Sequence, residues 1–215
     1  MPTPHDQDVL VAYAKETIGT PGPWPGGWPH DIEAALIDAV FSVRATYGSR
    51  VVGSETGVFG AVTRWRAHRD GHADDLHVLA DTAPSVLAQK TNAGRIARRS
   101  KAEIVVEAAN ALKNVGVRNA ADVLEKEEPA RVAYRSVKGC GPVTWRYFRM
   151  LVGLDDVKPD TWVMRFVQDR LPHIHTTDEA ALLIAGAAAE LGVEAKQLDH
   201  AIWLYRRSRK AASAA

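Results

Sequence analysis

The sequence predicts an all-α protein, and three observations carry that prediction. Apolar residues recur at helical spacing, polar caps stand where those stripes begin, and runs that alternate with period two are short and rare. About ten helices and essentially no sheet are expected. After a first helix, "PGPWPGGWPH" (21–30) packs four prolines and three glycines into ten residues, which forbids regular structure. Its plain reading is a rigid connection packed by Trp24 and Trp28; a clamp on a ligand is the other. Ile32, Ala35, Leu36, Ala39, Val40 and Val43 then form a full helical stripe, with Asp31 placed to cap it. Ser100 and Glu103 form a capping box before the stripe Val105, Ala108, Ala109 and Leu112. Thr176 and Glu179 repeat that device before an Ala/Leu-rich helix that Gly192 can close, and Leu198, Ala201, Ile202 and Tyr205 mark a last helix.

Composition narrows the class. With 46% apolar and 25% charged residues, the chain of 215 can bury a core. Nothing approaches the ~20 apolar residues of a membrane span, and "MPTPHDQD" lacks a signal pattern, so no membrane and a cytoplasmic location are expected. The single Cys140 excludes an intrachain disulfide, a cysteine-type zinc site and an iron–sulfur cluster. Net charge is +1, yet "RIARRSK" (95–101) and "YRRSRK" (205–210) are strongly basic and "EKEEP" (125–129) is acidic. A near-neutral total does not exclude nucleic acid, because only the contact face must be basic.

"SVKGCGPVTWRYF" (136–148) carries the first chemistry. A helix over 128–137 meets Gly139 and Gly141, both read as positive-φ positions, and Pro142 suits the first position of a second helix. In such a hairpin the backbone N–H groups gather beside a helix N-terminus, where an anion such as phosphate can bind. A plain glycine turn explains the stretch equally well. The second stretch, "VKPDTWVMRFV" (157–167), follows sixteen residues after Gly141.

Together the two stretches resemble the helix-hairpin-helix DNA glycosylase superfamily. Its hairpin reads like "LPGVGxKTA" and its later piece like "PVDTHVxR"; here they stand as "VKGCGPVTW" and "KPDTWVMR". "LIDAVFSVRATYGSRV" (36–51), "RRSKAEIVVEAANAL" (98–112) and "LDHAIWLYRRS" (198–208) are similar to flanking helices of that family, so the resemblance spans about 31–208 in order. It implies two helical lobes, 31–152 ending in the hairpin and 1–30 plus 153–215, with an active-site cleft between them. It also implies a monomer acting on double-stranded DNA, nucleoid-associated if bacterial. Asp160 falls on the family's catalytic aspartate. Bifunctional members keep a hairpin lysine that forms a Schiff base; Val143 stands there, and Lys138 and Lys158 are only nearby, so a monofunctional hydrolase without lyase chemistry is expected. Ala39 holds the position of the adenine glycosylases' glutamate, with Asp38 one residue away, which counts against adenine excision. The spacing is closer to the alkyl-base branch.

Each residue keeps its plainer alternative. Asp160 can be a helix N-cap as well as the carboxylate that stabilises an oxocarbenium-like sugar. Arg44 takes the place of the family's gap-filling glutamine and could enter the stack, or be a solvated helix-end charge. Tyr47, Trp145, Trp162 and Asp38 are candidates for the base pocket, although Trp145 fits a core better. Lys138, Arg146 and Arg149 flank the hairpin and can meet phosphates alongside Gly139 and Gly141. His173 and His175 look like a metal pair without a third ligand. Cys140 reads as a small buried filler. No cofactor is expected beyond the monovalent cation that the family's hairpin carbonyls hold. A DNA-binding module that has lost catalysis, or a helical scaffold without nucleic acid, are the rival readings.

Overall fold

The computed structural model describes residues 2–70 and 74–212, with side chains through Arg209; Met1 of the N-terminal reading and Lys210 of the last basic run fall outside these side chains. Among the described residues there are twelve helices, α1 (Pro4–Thr17), α2 (Ile32–Phe41), α3 (Gly57–His68), α4 (Leu76–Ala80), α5 (Pro84–Lys90), α6 (Lys101–Asn114), α7 (Ala120–Glu125), α8 (Glu127–Ser136), α9 (Pro142–Leu151), α10 (Thr161–Gln168), α11 (Thr177–Leu191) and α12 (Ala195–Ala212). The number exceeds the expected ten because α4, α5 and α7 are five to seven residues long, too short for a periodic stripe. A two-residue ladder, β1 (Arg95–Ile96) with β2 (Arg99–Ser100), lies inside the first basic run and is the one departure from an all-helical chain among these residues. No described helix is long and apolar enough to cross a membrane.

The chain divides into two compact units, Met1–Gly26 with Asp155–Ala215, and Gly27–Leu154. In the first, α1 packs on α11, and α12 packs on α10 and α11, around Leu10, Phe166, Ile184, Leu198 and Ile202. Local chemistry starts and stops these helices. Thr3 and Asp6 form a capping box for α1, Thr176 accepts the Glu179 N–H at the head of α11, and Gly192 ends α11 in the left-handed region at φ 70°. Asp155 caps α12 by accepting the N–H groups of Ala195 (3.1 Å) and Lys196 (3.0 Å).

The second unit is organised around α2, which contacts α3, α6 and α9. All ten α2 residues are buried, including Glu33 and Asp38. A helix apolar on every side belongs in a core, but its carboxylates must then find donors there. The expected stripe reached Val43, yet α2 ends at Phe41. Buried Lys101 donates to the carbonyls of Phe41 (2.7 Å) and Val43 (2.8 Å), a cation placed on the orphan acceptors of a helix C-terminus. The Ser100–Glu103 box that begins α6 forms in both directions.

Candidate active site

The hairpin joins α8 to α9, and only one of its glycines works as expected. Gly139 has φ 113°, and a Cβ there would sit 2.9 Å from Ile104 Cδ1. Gly141 is instead extended, with φ −100° and ψ −178°, and a Cβ would meet open space. The reason lies in the next residue. Pro142 occupies the first turn of α9, and its ring pushes the preceding residue into the extended region, which is also where an N-cap belongs. The Cys140 N–H donates to Val137 O (2.9 Å), while the N–H groups of Gly139, Gly141 and Val143 make no intramolecular hydrogen bond among the described residues. Three unpaired donors therefore stand at the head of α9.

Around them, Lys138 is exposed and its carbonyl accepts Arg99 Nη1 at 3.0 Å, so the ladder's basic run is tied to the hairpin. Sequence reasoning did not single out Arg99; its basic run was the available signal. Arg149 pairs with Glu127 at 3.1 Å, and Arg146, three residues earlier on the same helix, is half-buried. Val137 O and Lys138 O thus each accept one protein donor. Cys140 is buried, and burial pushes its thiol up to about 12, so it stays protonated and inert at neutral pH. Trp145 is a core residue, 3% exposed, its ring 5.5 Å from Tyr134 and 6.0 Å from Phe148.

The C-terminal half of α2 builds a second feature of this unit. Asp38 is completely buried and accepts three side-chain donors: Trp28 Nε1 and the Tyr47 hydroxyl at 3.0 Å each on Oδ2, and the Tyr147 hydroxyl at 3.1 Å on Oδ1. Burial, and then the Asp38 charge, push the Tyr47 hydroxyl well above its usual range, so it donates as a neutral phenol. Phe59 stacks on Trp28 at 6.2 Å and lies 6.4 Å from Tyr47, with the Arg50 guanidinium 5.0 Å from the Phe59 ring centre. An aromatic row thus stands on one carboxylate. Trp28, read as packing in the Pro/Gly loop, belongs to that row. Just before it, Arg44 is exposed and sits at φ 50°, a conformation that non-glycine residues adopt at a cost.

Asp160 belongs to the other unit. Its Oδ1 accepts the N–H groups of Trp162 (2.7 Å) and Val163 (3.4 Å), capping α10, while Oδ2 has no hydrogen-bond partner among the described residues. Its own N–H donates to Lys158 O at 2.7 Å, which folds "KPD" into a tight bend. Asp199 on α12 was missed by sequence reasoning. It is 8% exposed, and burial first, then the charge of Asp160, raise its carboxyl well above the usual range; the Lys158 backbone N–H is its donor. Trp162 is half-buried in the first turn of α10. His173 pairs with Asp6 at 3.2 Å, and no described group of three or more His, Cys, Asp or Glu side chains is arranged to hold a metal.

The structure of Helicobacter pylori 3-methyladenine DNA glycosylase (MagIII), solved bound to 1,N6-ethenoadenine, is similar to this chain with a TM-score of 0.63. The similarity covers 95% of this chain and 98% of that one at 17% identity, and it identifies the all-α, helix-hairpin-helix glycosylase-like fold. No curated protein matches the sequence. A family model described as "Domain of unknown function (DUF8548)" matches residues 8–207.

Proposed function

The chain belongs to the DUF8548 family, and we propose that it is a monofunctional DNA glycosylase acting on a flipped damaged or modified base in double-stranded DNA. The observation that carries this reading is Asp160, on a fold shared with a DNA glycosylase, with one carboxylate oxygen fixed by backbone donors and the other open. Hydrolysis of an N-glycosidic bond builds positive charge on the sugar as the base departs with the bonding electrons. A fixed carboxylate stabilises that charge without reorganising. Asp160 Oδ2 is the acceptor for the proton of the attacking water, whose oxygen forms the new bond to the sugar carbon.

The remaining roles follow from position. The free N–H groups at Gly139, Gly141 and Val143, with Lys138 and Arg146, hold backbone phosphates. Arg44, exposed and strained at the end of α2, fills the gap left by the base. Each in its own unit, Tyr47, which Asp38 positions, and Trp162 carry an aromatic face on which a base can stack. Val143 cannot supply an amine, so water is the nucleophile.

The test is a panel of duplexes bearing uracil, a thymine mismatch, an alkylpurine, hypoxanthine or an oxidised base. One class should yield an intact abasic strand, cut only after alkali or heat, with no adduct trapped by borohydride. A trapped adduct that disappears in Lys138→Ala would make Lys138 the nucleophile and overturn the hydrolytic assignment. Absence of excision across the whole panel, with duplex binding retained, would leave a binding module.

A further inference from the structure

The unit that carries Asp160 also carries a groove of about 1090 Å³, formed by α1, α10 and α12 and lined by Tyr13, Trp162, Arg165, Arg170, Arg206 and Arg209 among others. Helical spacing explains the lining. Trp162, Arg165 and Asp169 lie at i, i+3 and i+7 of one stripe that begins in α10, and Tyr205 and Arg209 lie at i and i+4 on α12. Four arginines face two carboxylates there, and the carboxylates are spent unevenly. Asp169 accepts both the Tyr13 hydroxyl (2.8 Å) and Arg206. Glu16 approaches Arg170 only to 3.7 Å, with both side chains largely exposed. Arg165 and Arg209 have no ion-pair partner among the described residues; Arg209 donates to the Tyr205 hydroxyl at 2.9 Å.

The surplus charge is held in place. The Arg170 guanidinium lies 4.5 Å from the Tyr13 ring centre, and that of Arg209 lies 5.7 Å from the Tyr205 ring. A guanidinium resting on a ring loses less freedom on binding than a loose one, and its planar fork matches two oxygens of a phosphate. A concave surface concentrates such a field. Trp162 links the groove to chemistry, since it stands in the first turn of the helix that Asp160 caps.

We infer that this groove binds the phosphodiester backbone of DNA, as an anchoring site separate from the hairpin. The inference rests on the glycosylase reading and extends it to a second contact face. An acidic peptide is the competing occupant; the continuity of the groove with the Asp160 helix favours the DNA strand.

The experiment compares the full-length protein with Arg165→Gln/Arg209→Gln. Both positions are exposed, and circular dichroism and a thermal melt check folding. The probe is a short fluorescein-labelled duplex carrying a tetrahydrofuran abasic-site analogue, titrated over a range of salt. Loss of two phosphate contacts should lower the slope of log K against log salt by about 1.8 and weaken binding at low salt by about tenfold or more. Lys138→Gln should reduce the slope independently, and the combined variant should show the sum. A groove variant with wild-type slope and affinity, while Lys138→Gln still weakens binding, overturns the groove and leaves the glycosylase reading intact. Binding of polyglutamate by the wild type but not the groove variant, with duplex binding unaltered, assigns the groove to an acidic peptide instead. Failure of the wild type to bind any duplex overturns both readings.

Discussion

Asp38 and Asp160 are the same residue type in opposite circumstances. Asp38 is fully buried in the unit around α2, and three side-chain donors hold it. Asp160 is half-buried in the other unit, with backbone donors on one oxygen and, among the described residues, nothing on the second. A buried carboxylate with donors on both oxygens offers little to a reacting group, but it fixes whatever donates to it. A carboxylate held on one side only is both aimed and available. The difference teaches where to look for chemistry: the less satisfied of two ordered carboxylates is the better catalyst, and the more satisfied is the better scaffold.

Five substitutions break or sharpen that contrast. The largest effect is on rate. Asp160→Asn keeps volume and remains a good N-cap, so the melting temperature should barely move, while excision falls about a thousandfold or more in single-turnover assays. Full activity in that variant would end the proposed mechanism. Asp38→Ala should act first on stability. It strands three donors, one on the buried Tyr147, and should cost about 4 kcal/mol in denaturant unfolding. An unchanged stability would mean that water replaces the carboxylate without penalty.

Glu33, the other carboxylate buried in α2, gives a pH test of the same idea. It accepts Trp65 Nε1 (2.8 Å) and Arg69 Nε (3.1 Å) on Oε2, while Oε1 has no partner among the described residues. Burial pushes its carboxyl up to about 7 from an ordinary 4.5, against the pull of Trp65 and Arg69. The folded state therefore keeps a proton that the unfolded chain releases. That stabilisation is complete below about 4.5 and is lost as pH rises through about 7, roughly 3 kcal/mol at most. Glu33→Gln should flatten the stability profile across this window, measured by urea unfolding at several pH values. A slope identical to wild type would remove Glu33 as its source.

The smallest contrast is within the hairpin. Gly139→Ala should destabilise by about 2 kcal/mol, because φ 113° and the Ile104 contact both oppose a Cβ. Gly141→Ala should change stability by less than about 1 kcal/mol, since its backbone is extended and its surroundings are open. Equal losses at the two positions would show that the turn depends on something other than φ.

Much of this molecule was legible in one dimension. Asp31, Ser100 and Thr176 cap the helices expected of them, Gly192 closes α11, and Pro142 opens α9. These are bonds between residues three or four apart, or fixed torsions, so the local sequence decides them. Asp160 was visible for the same reason, as a cap in a recognisable stretch. Even the error at Gly141 was locally correctable, because the proline after it already constrained the torsion.

Tertiary structure decided the rest. Asp38 gathers donors from positions 28, 47 and 147, and no periodicity announces that those three side chains converge. Asp199 joins the Asp160 bend from α12, thirty-nine residues along the chain. The basic groove takes one stripe from each of three helices, α1, α10 and α12, that are far apart in sequence. The physical reason is range. Helix propensity, capping and turn chemistry act over a few bonds, whereas charge, burial and hydrogen-bond satisfaction act through space and exist only once the chain has folded.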